Sequence, residues 1–165
     1  MELVRASLDP AARTVLSRRD SPICQVVTRA AKADLEVGAI EHVTQLAIGA
    51  GVAAAGLTSW LATERQRDTA EVLTEIEQLR ADDGQFNDSV VGMLRSLLTG
   101  PPGMTQAAEF MVTLFHEDEG ALYDLIVDLG EYTAAAIETL AGLGISVVDE
   151  TLADLEGMLV EFFAG

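Results

Sequence analysis

An all-α fold, a bundle of about five to seven helices forming a single domain over residues 1–165, is what three features of this sequence predict. Apolar residues recur at three- and four-residue spacing along most of the chain, and no stretch alternates with the period of a strand for more than a few residues. The core material is Ala, Leu, Val and Ile with only 5% aromatic residues, and small side chains favour close helix-on-helix packing. No proline occurs between Pro22 and Pro101, which leaves room for long helices. At 165 residues the chain is long enough to bury a sizeable core.

The elements follow in order. Asp9-Pro10 reads as an N-cap followed by proline at the first helical position, and predicts a short helix to about Arg19. Ser21-Pro22 repeats the signal and opens a helix over Ile23–Ala33. Leu35–Ala62 is rich in Ala, Gly, Leu and Val. Thr63–Ala81 is amphipathic, with Val72, Leu73, Ile76 and Leu79 on one face and Glu71, Glu75, Gln78 and Asp82 on the other. A continuous helix over 35–81 would be about 70 Å long at 1.5 Å per residue. The glycines at 38, 49, 51 and 56 equally permit a kink or a turn.

Asp82-Asp83-Gly84 predicts a turn, and lacks the further acids of a calcium loop. Asn87, Asp88 or Ser89 caps a helix with Val90, Leu94, Leu97 and Leu98 in its apolar stripe. Gly100-Pro101-Pro102-Gly103 is a break and the candidate hinge. Thr105 is expected to cap a helix to about His116 that carries Phe110, Met111, Leu114 and Phe115. A turn is expected over His116–Gly120. A long helix follows, with Leu122, Leu125, Ile126, Leu129, Ala136 and Leu140 on one face and Asp124, Asp128, Glu131 and Glu138 on another. Gly142-Leu143-Gly144 ends it. Ser146 and Asp149 resemble a capping box, opening a final helix that buries Val148, Leu152, Leu155, Leu159 and Phe162.

Charge is the strongest compositional signal. The chain has 27 acids, 10 Lys plus Arg and a net charge of −17, and Lys32 is its only lysine. An Arg bias also follows from a GC-rich genome, but strong acidity with almost no lysine fits a salt-adapted, halophilic protein, whose self-repulsion is screened at molar ionic strength. Such a charge argues against nucleic acid as a partner. The distribution is uneven: residues 1–33 form a basic N-terminal segment of net +3, residues 34–95 carry −7, and residues 96–165 carry thirteen acids and no Lys or Arg. A basic segment and an acidic face can meet, in cis or on a neighbouring copy.

Residues Val43–Thr63 form 21 consecutive uncharged positions. Small residues recur four apart, pairing Gly49 with Ala53, Gly51 with Ala55, and Val52 with Gly56, a spacing that lets helices pack backbone to backbone. Trp60 stands near one end, ahead of Arg65 and Arg67, like an interfacial aromatic with a cationic flank. The segment is long enough to cross a bilayer. Its Thr44, Gln45, Thr58 and Ser59, and the small transfer energy of Ala and Gly, favour burial in a soluble bundle or oligomer. Both alternatives make it an association surface.

The sequence offers no motif for catalysis. His42 and His116 are its two histidines, too few for an ordinary zinc site without carboxylate help. No Glu stands three residues before either, as a di-iron bundle requires. Glu109 and His116, seven apart, are a weak metal candidate at best. There is no nucleophile elbow, and no lysine follows Gly49-Ala50-Gly51 at phosphate-loop spacing. Cys24 is alone and reads as a small buried apolar residue. Residues Met1–Ala12 lack the apolar core of a secretory signal, so an intracellular or particle-associated location is expected over secretion.

These readings lead to one expectation and two alternatives. The expectation is a non-enzymatic helical structural or assembly subunit, without cofactor, that self-associates or packs into a larger multi-protein particle; a virion is one such setting. The alternatives are a single-pass membrane protein anchored through Val43–Ala62 and a carboxylate-metal helical enzyme.

Overall fold

The computed structural model describes residues 1–13, 20–83 and 88–164, and among these it contains eight α-helices and no strand. They are α1 (Glu2–Leu8), α2 (Pro22–Val37), α3 (Glu41–Glu64), α4 (Thr69–Asp83), α5 (Asp88–Leu97), α6 (Pro101–Glu117), α7 (Glu119–Gly142) and α8 (Val148–Ala164), with a 3₁₀ turn at Pro10–Arg13. The all-α class is as expected. The count is one above the expected range, since the chain turns both at Gly38 and at 65–68, where no glycine or proline announces it.

The continuous helix over 35–81 does not exist. The chain turns at 38–40 and again at 65–68. At the first turn Gly38 adopts φ +67° and donates its N–H to Asp34 O, the left-handed ending that a β-carbon would disfavour. At the second, Gln66 takes φ +53°. Asp68 then caps α4 by accepting from Ala70 N at 2.7 Å. Arg65 and Arg67 fold back onto Glu75, and Arg67 also onto Glu71. Gly49, Gly51 and Gly56 lie inside an unbroken α3.

The N-terminus also differs from expectation. A helix lies before Asp9-Pro10: α1 ends at Leu8, and Pro10 opens a 3₁₀ turn over Pro10–Arg13. The remainder of the expected helix, residues 14–19, falls outside the described residues, as do residues 84–87 at the expected turn and the side chain of Leu79. Asp82 and Asp83 belong to α4. The signal at Ser21-Pro22 is realised as read, with Ser21 Oγ accepting from Cys24 N at 3.3 Å.

Helices α3 and α7, each of 24 residues, form the centre and make the most extensive contact in the molecule. The reason lies in their composition. From α3, Ala47, Ala50, Ala53 and Ala54 are buried along with Leu57 and Leu61; α7 buries Leu122, Leu125, Ile126, Leu129, Ile137 and Leu140. Small residues on one helix let the large ones of the other approach its backbone. Helices α1 and α2 pack on each other and on this pair, α4 to α6 cover other parts of it, and α8 touches both α3 and α7. Arg5 of α1 meets Glu156 of α8 at 3.1 Å, one cis contact between the basic N-terminal segment and the acidic C-terminal third.

At the expected hinge, 100–103, only residues 98–100 separate α5 from α6. Gly100, at φ +88°, precedes α6, which starts on Pro101 rather than after a Thr105 cap. A β-carbon on Gly103 would stand 1.7 Å from Ser96 O, so glycine is what allows the end of α5 and the start of α6 to touch. Between α6 and α7 the expected five-residue turn shrinks to Asp118, whose side chain caps α7 through Ala121 N at 3.0 Å. Helix α7 ends at Gly142 as expected. Its polar face needs one correction: Asp128 is buried. Ser146 is not a capping-box residue; its hydroxyl accepts from Thr151 Oγ1 at 2.9 Å.

Candidate functional site

The Ala/Gly helix α3 supplies the residues that the sequence singled out, and the structure distributes them around its circumference. Gly51 faces α5: a β-carbon there would come within 2.6 Å of Met93 Cε and 3.0 Å of Leu97 Cδ1. Gly56 faces α8, where a β-carbon would meet Met158 Sδ at 2.9 Å, and one on Gly49 would stand 3.7 Å from the Phe163 ring. Ala53 is fully buried and Ala55 nearly so, while Val52 and Trp60 are half-buried. Trp60 donates to Glu64 at 3.1 Å. The close approach read from the spacing is therefore used within the chain, against α5, α7 and α8.

One stretch of α3 is not fully covered. Val52, Ala55, Gly56 and Ser59 line an open groove of about 350 Å³, completed by Leu97 and Leu98 at the end of α5, Met104 of α6, and Met158 and Phe162 of α8. Ser59 is the single polar residue of that lining. Phe162, expected in the core, is 36% exposed, Met104 37% and the neighbouring Phe163 52%. Adjacent positions on a helix point about 100° apart, so Phe162 and Phe163 cannot both face the core. Their rings meet edge to face, with centroids 5.2 Å apart. The double aromatic was the sequence signal for this exposed end of α8. Met104 and Met158 carried no comparable signal.

Three buried or half-buried titratable residues, Asp34, Tyr123 and Tyr132, have shifted pKa values. Asp34 is 4% exposed. Its carboxylate accepts from Val43 N and His42 N, both at 2.8 Å, and lies 2.7 Å from His42 Nδ1. Burial alone would push this carboxyl up, but the two backbone N–H groups and the His42 ring hold it below its ordinary value. Tyr123 is pushed up to about 12 by burial, the Glu119 hydrogen bond and charge, and the charge of Asp34. In the core, the Tyr132 hydroxyl is 2.6 Å from Thr58 Oγ1, and burial raises its pKa, although the Thr58 contact works against this.

No family model, no curated protein and no solved structure matches this chain.

The remaining candidates do not assemble into a site. Glu109 and His116 both lie exposed on α6, and among the described residues no three His, Cys, Asp or Glu side chains come together in a position to hold a metal. The Phe115 ring packs edge-on to His116 at 5.7 Å. Cys24 is a free, half-buried thiol on α2. The groove lining contains no titratable side chain, and Ser59 supplies its one hydroxyl.

Proposed function

We propose that this chain is a non-enzymatic helical assembly subunit, one that joins a larger multi-protein particle by docking another protein chain in the groove between α3, α5, α6 and α8. The observation that carries this reading is the groove itself. A chain of net charge −17 has ample polar surface, yet it leaves Met104, Phe162 and Phe163 partly in water around an apolar depression. Continuous apolar surface rimmed by polar residues is what protein interfaces use.

The test is oxidative footprinting of Met104 and Met158 in a native extract and in the isolated chain. Assembly predicts that both methionines are protected in the extract and labelled in isolation. Equal labelling in the two states would overturn the reading.

A single-pass anchor through Val43–Ala62 is the second reading, and one observation favours it. Helix α3 is the one described helix long and apolar enough to cross a membrane, with a mean hydropathy of 1.5 over its best 18-residue window. Against it, 56% of that window is buried inside the bundle, so insertion would require α3 to leave α7. Carbonate and detergent washes of a native membrane pellet separate the two: release only by detergent supports the anchor, and recovery without detergent supports the buried helix.

A further inference from the structure

We propose that the occupant of the groove is a cationic amphipathic helix of a different protein chain, with an apolar stripe that enters between α6 and α8 and Lys or Arg residues flanking it. This rests on the assembly reading above and adds the chemistry of the partner. Shape is the first argument. An apolar groove bounded by helices receives the side chains that a docking helix presents at positions i, i+3 or i+4, and i+7. Met104 and Met158 stand in its lining, and the unbranched methionine side chain adapts to a partner's contour.

Charge is the second argument, and it selects between occupants. The groove is walled by α6 and α8, which belong to the stretch from residue 96 to the end that has thirteen acids and no Lys or Arg. On α8, Asp154 and Glu161 lie one helical turn to either side of Met158 and are exposed. Arg95 of α5, the last cation in the sequence, already has an interaction of its own. A second copy docking the same face would set carboxylates against carboxylates, a juxtaposition that opposes association. A helix carrying Lys or Arg beside its apolar stripe would fill the groove and neutralise its rim together.

The test uses the full-length chain and two fluorescent peptides of about 18 residues with one identical leucine stripe, flanked by Lys in one and by Glu in the other. The proposal expects the Lys peptide to bind and the Glu peptide not to, with affinity falling as salt is raised. The deciding variant is Met104→Glu. It adds a negative charge, so general attraction to an acidic surface would hold or strengthen, whereas docking in the groove would weaken by about tenfold or more. Val112→Glu places the same charge on an exposed position of the same helix outside the groove lining, and should leave binding intact; circular dichroism checks that both variants fold. Binding of the Lys peptide unchanged by Met104→Glu, or equal binding of the Glu peptide, would overturn the proposal. A dimer of the purified chain that protects Met104 from oxidation would also overturn it, by making a second copy the occupant, and would leave the assembly reading standing.

Discussion

Asp34, in the last turn of α2, caps the first turn of α3: its Oδ2 accepts the Val43 N–H at 2.8 Å, and its Oδ1 accepts that of His42 at the same distance. The residue before α3, Ile40, has no side-chain oxygen to offer, so the capping acceptor comes from the preceding helix. With Asp34 turned inward, Leu35 is carried round to solvent and stands 82% exposed. Asp34→Ala should therefore cost about 1–3 kcal/mol, since it strands backbone donors that the fold has buried. Leu35→Glu should change stability by less than about 0.5 kcal/mol. Urea unfolding of the two variants checks the contrast, and an equal loss in both would refute the capping role.

The same contact has a pH signature. The folded-state carboxyl of Asp34 lies below its ordinary value of 3.8. A depressed carboxyl contributes its stability above the unfolded value and loses it as pH falls through the lower folded value. Asp34→Asn should thus be less stable than the parent near neutral pH, with the gap closing as the pH drops below about 4. Thermal unfolding of both proteins across that range reads the gap; a constant difference would show that the charge of Asp34 is not involved.

Two helical glycines of this bundle stand in opposite surroundings. At Gly103 a β-carbon would collide with the backbone oxygen of Ser96, which cannot move aside as a side chain can. Gly103→Ala should cost about 3 kcal/mol or more and spread α5 from α6. Gly92, inside α5, has nothing within 4 Å of the corresponding position. Gly92→Ala should stabilise by about 0.5–1 kcal/mol through helix propensity and the unfolded chain. Denaturant midpoints moving in opposite directions are the expected result.

The Thr58–Tyr132 contact joins α3 to α7 in the core. Tyr132→Phe should cost only about 0.5–1.5 kcal/mol, because Thr58 Oγ1 keeps its hydrogen bond to Ala54 O at 2.7 Å. A larger loss in thermal or urea unfolding would mean that the hydroxyl orders more of the core than this contact.

Salt should stabilise the fold. With 27 acids against 10 Lys plus Arg, like-charge repulsion opposes the compact state and is screened as ionic strength rises. The melting temperature should climb from millimolar to molar sodium chloride. A flat profile would count against salt adaptation as the cause of the acidity.

Helix class and much of the core were legible from residue spacing. The stripe Leu122, Leu125, Ile126, Leu129, Ala136 and Leu140 is buried as its period implied, and Ser21-Pro22 begins a helix where the capping chemistry put it. Boundaries were harder. The turn at 65–68 depends on Gln66 taking a left-handed conformation that its side chain does not favour, and beyond it α4 packs back against α3. The close approach of the Ser96 backbone to Gly103 was not legible, because a Gly/Pro pattern cannot reveal that another backbone lies against it.

From the sequence alone came the all-α class, the segregation of charge and a close-packing helix rich in alanine and glycine, because period, charge and side-chain size are local properties. Tertiary structure decided what that helix packs against, which acid is buried and which apolar residues stay in water. Gly51 meets Met93, Asp34 serves the next helix, and Phe162 faces a groove instead of the core. Each outcome depends on the relative placement of two helices, and helical periodicity describes only one helix at a time.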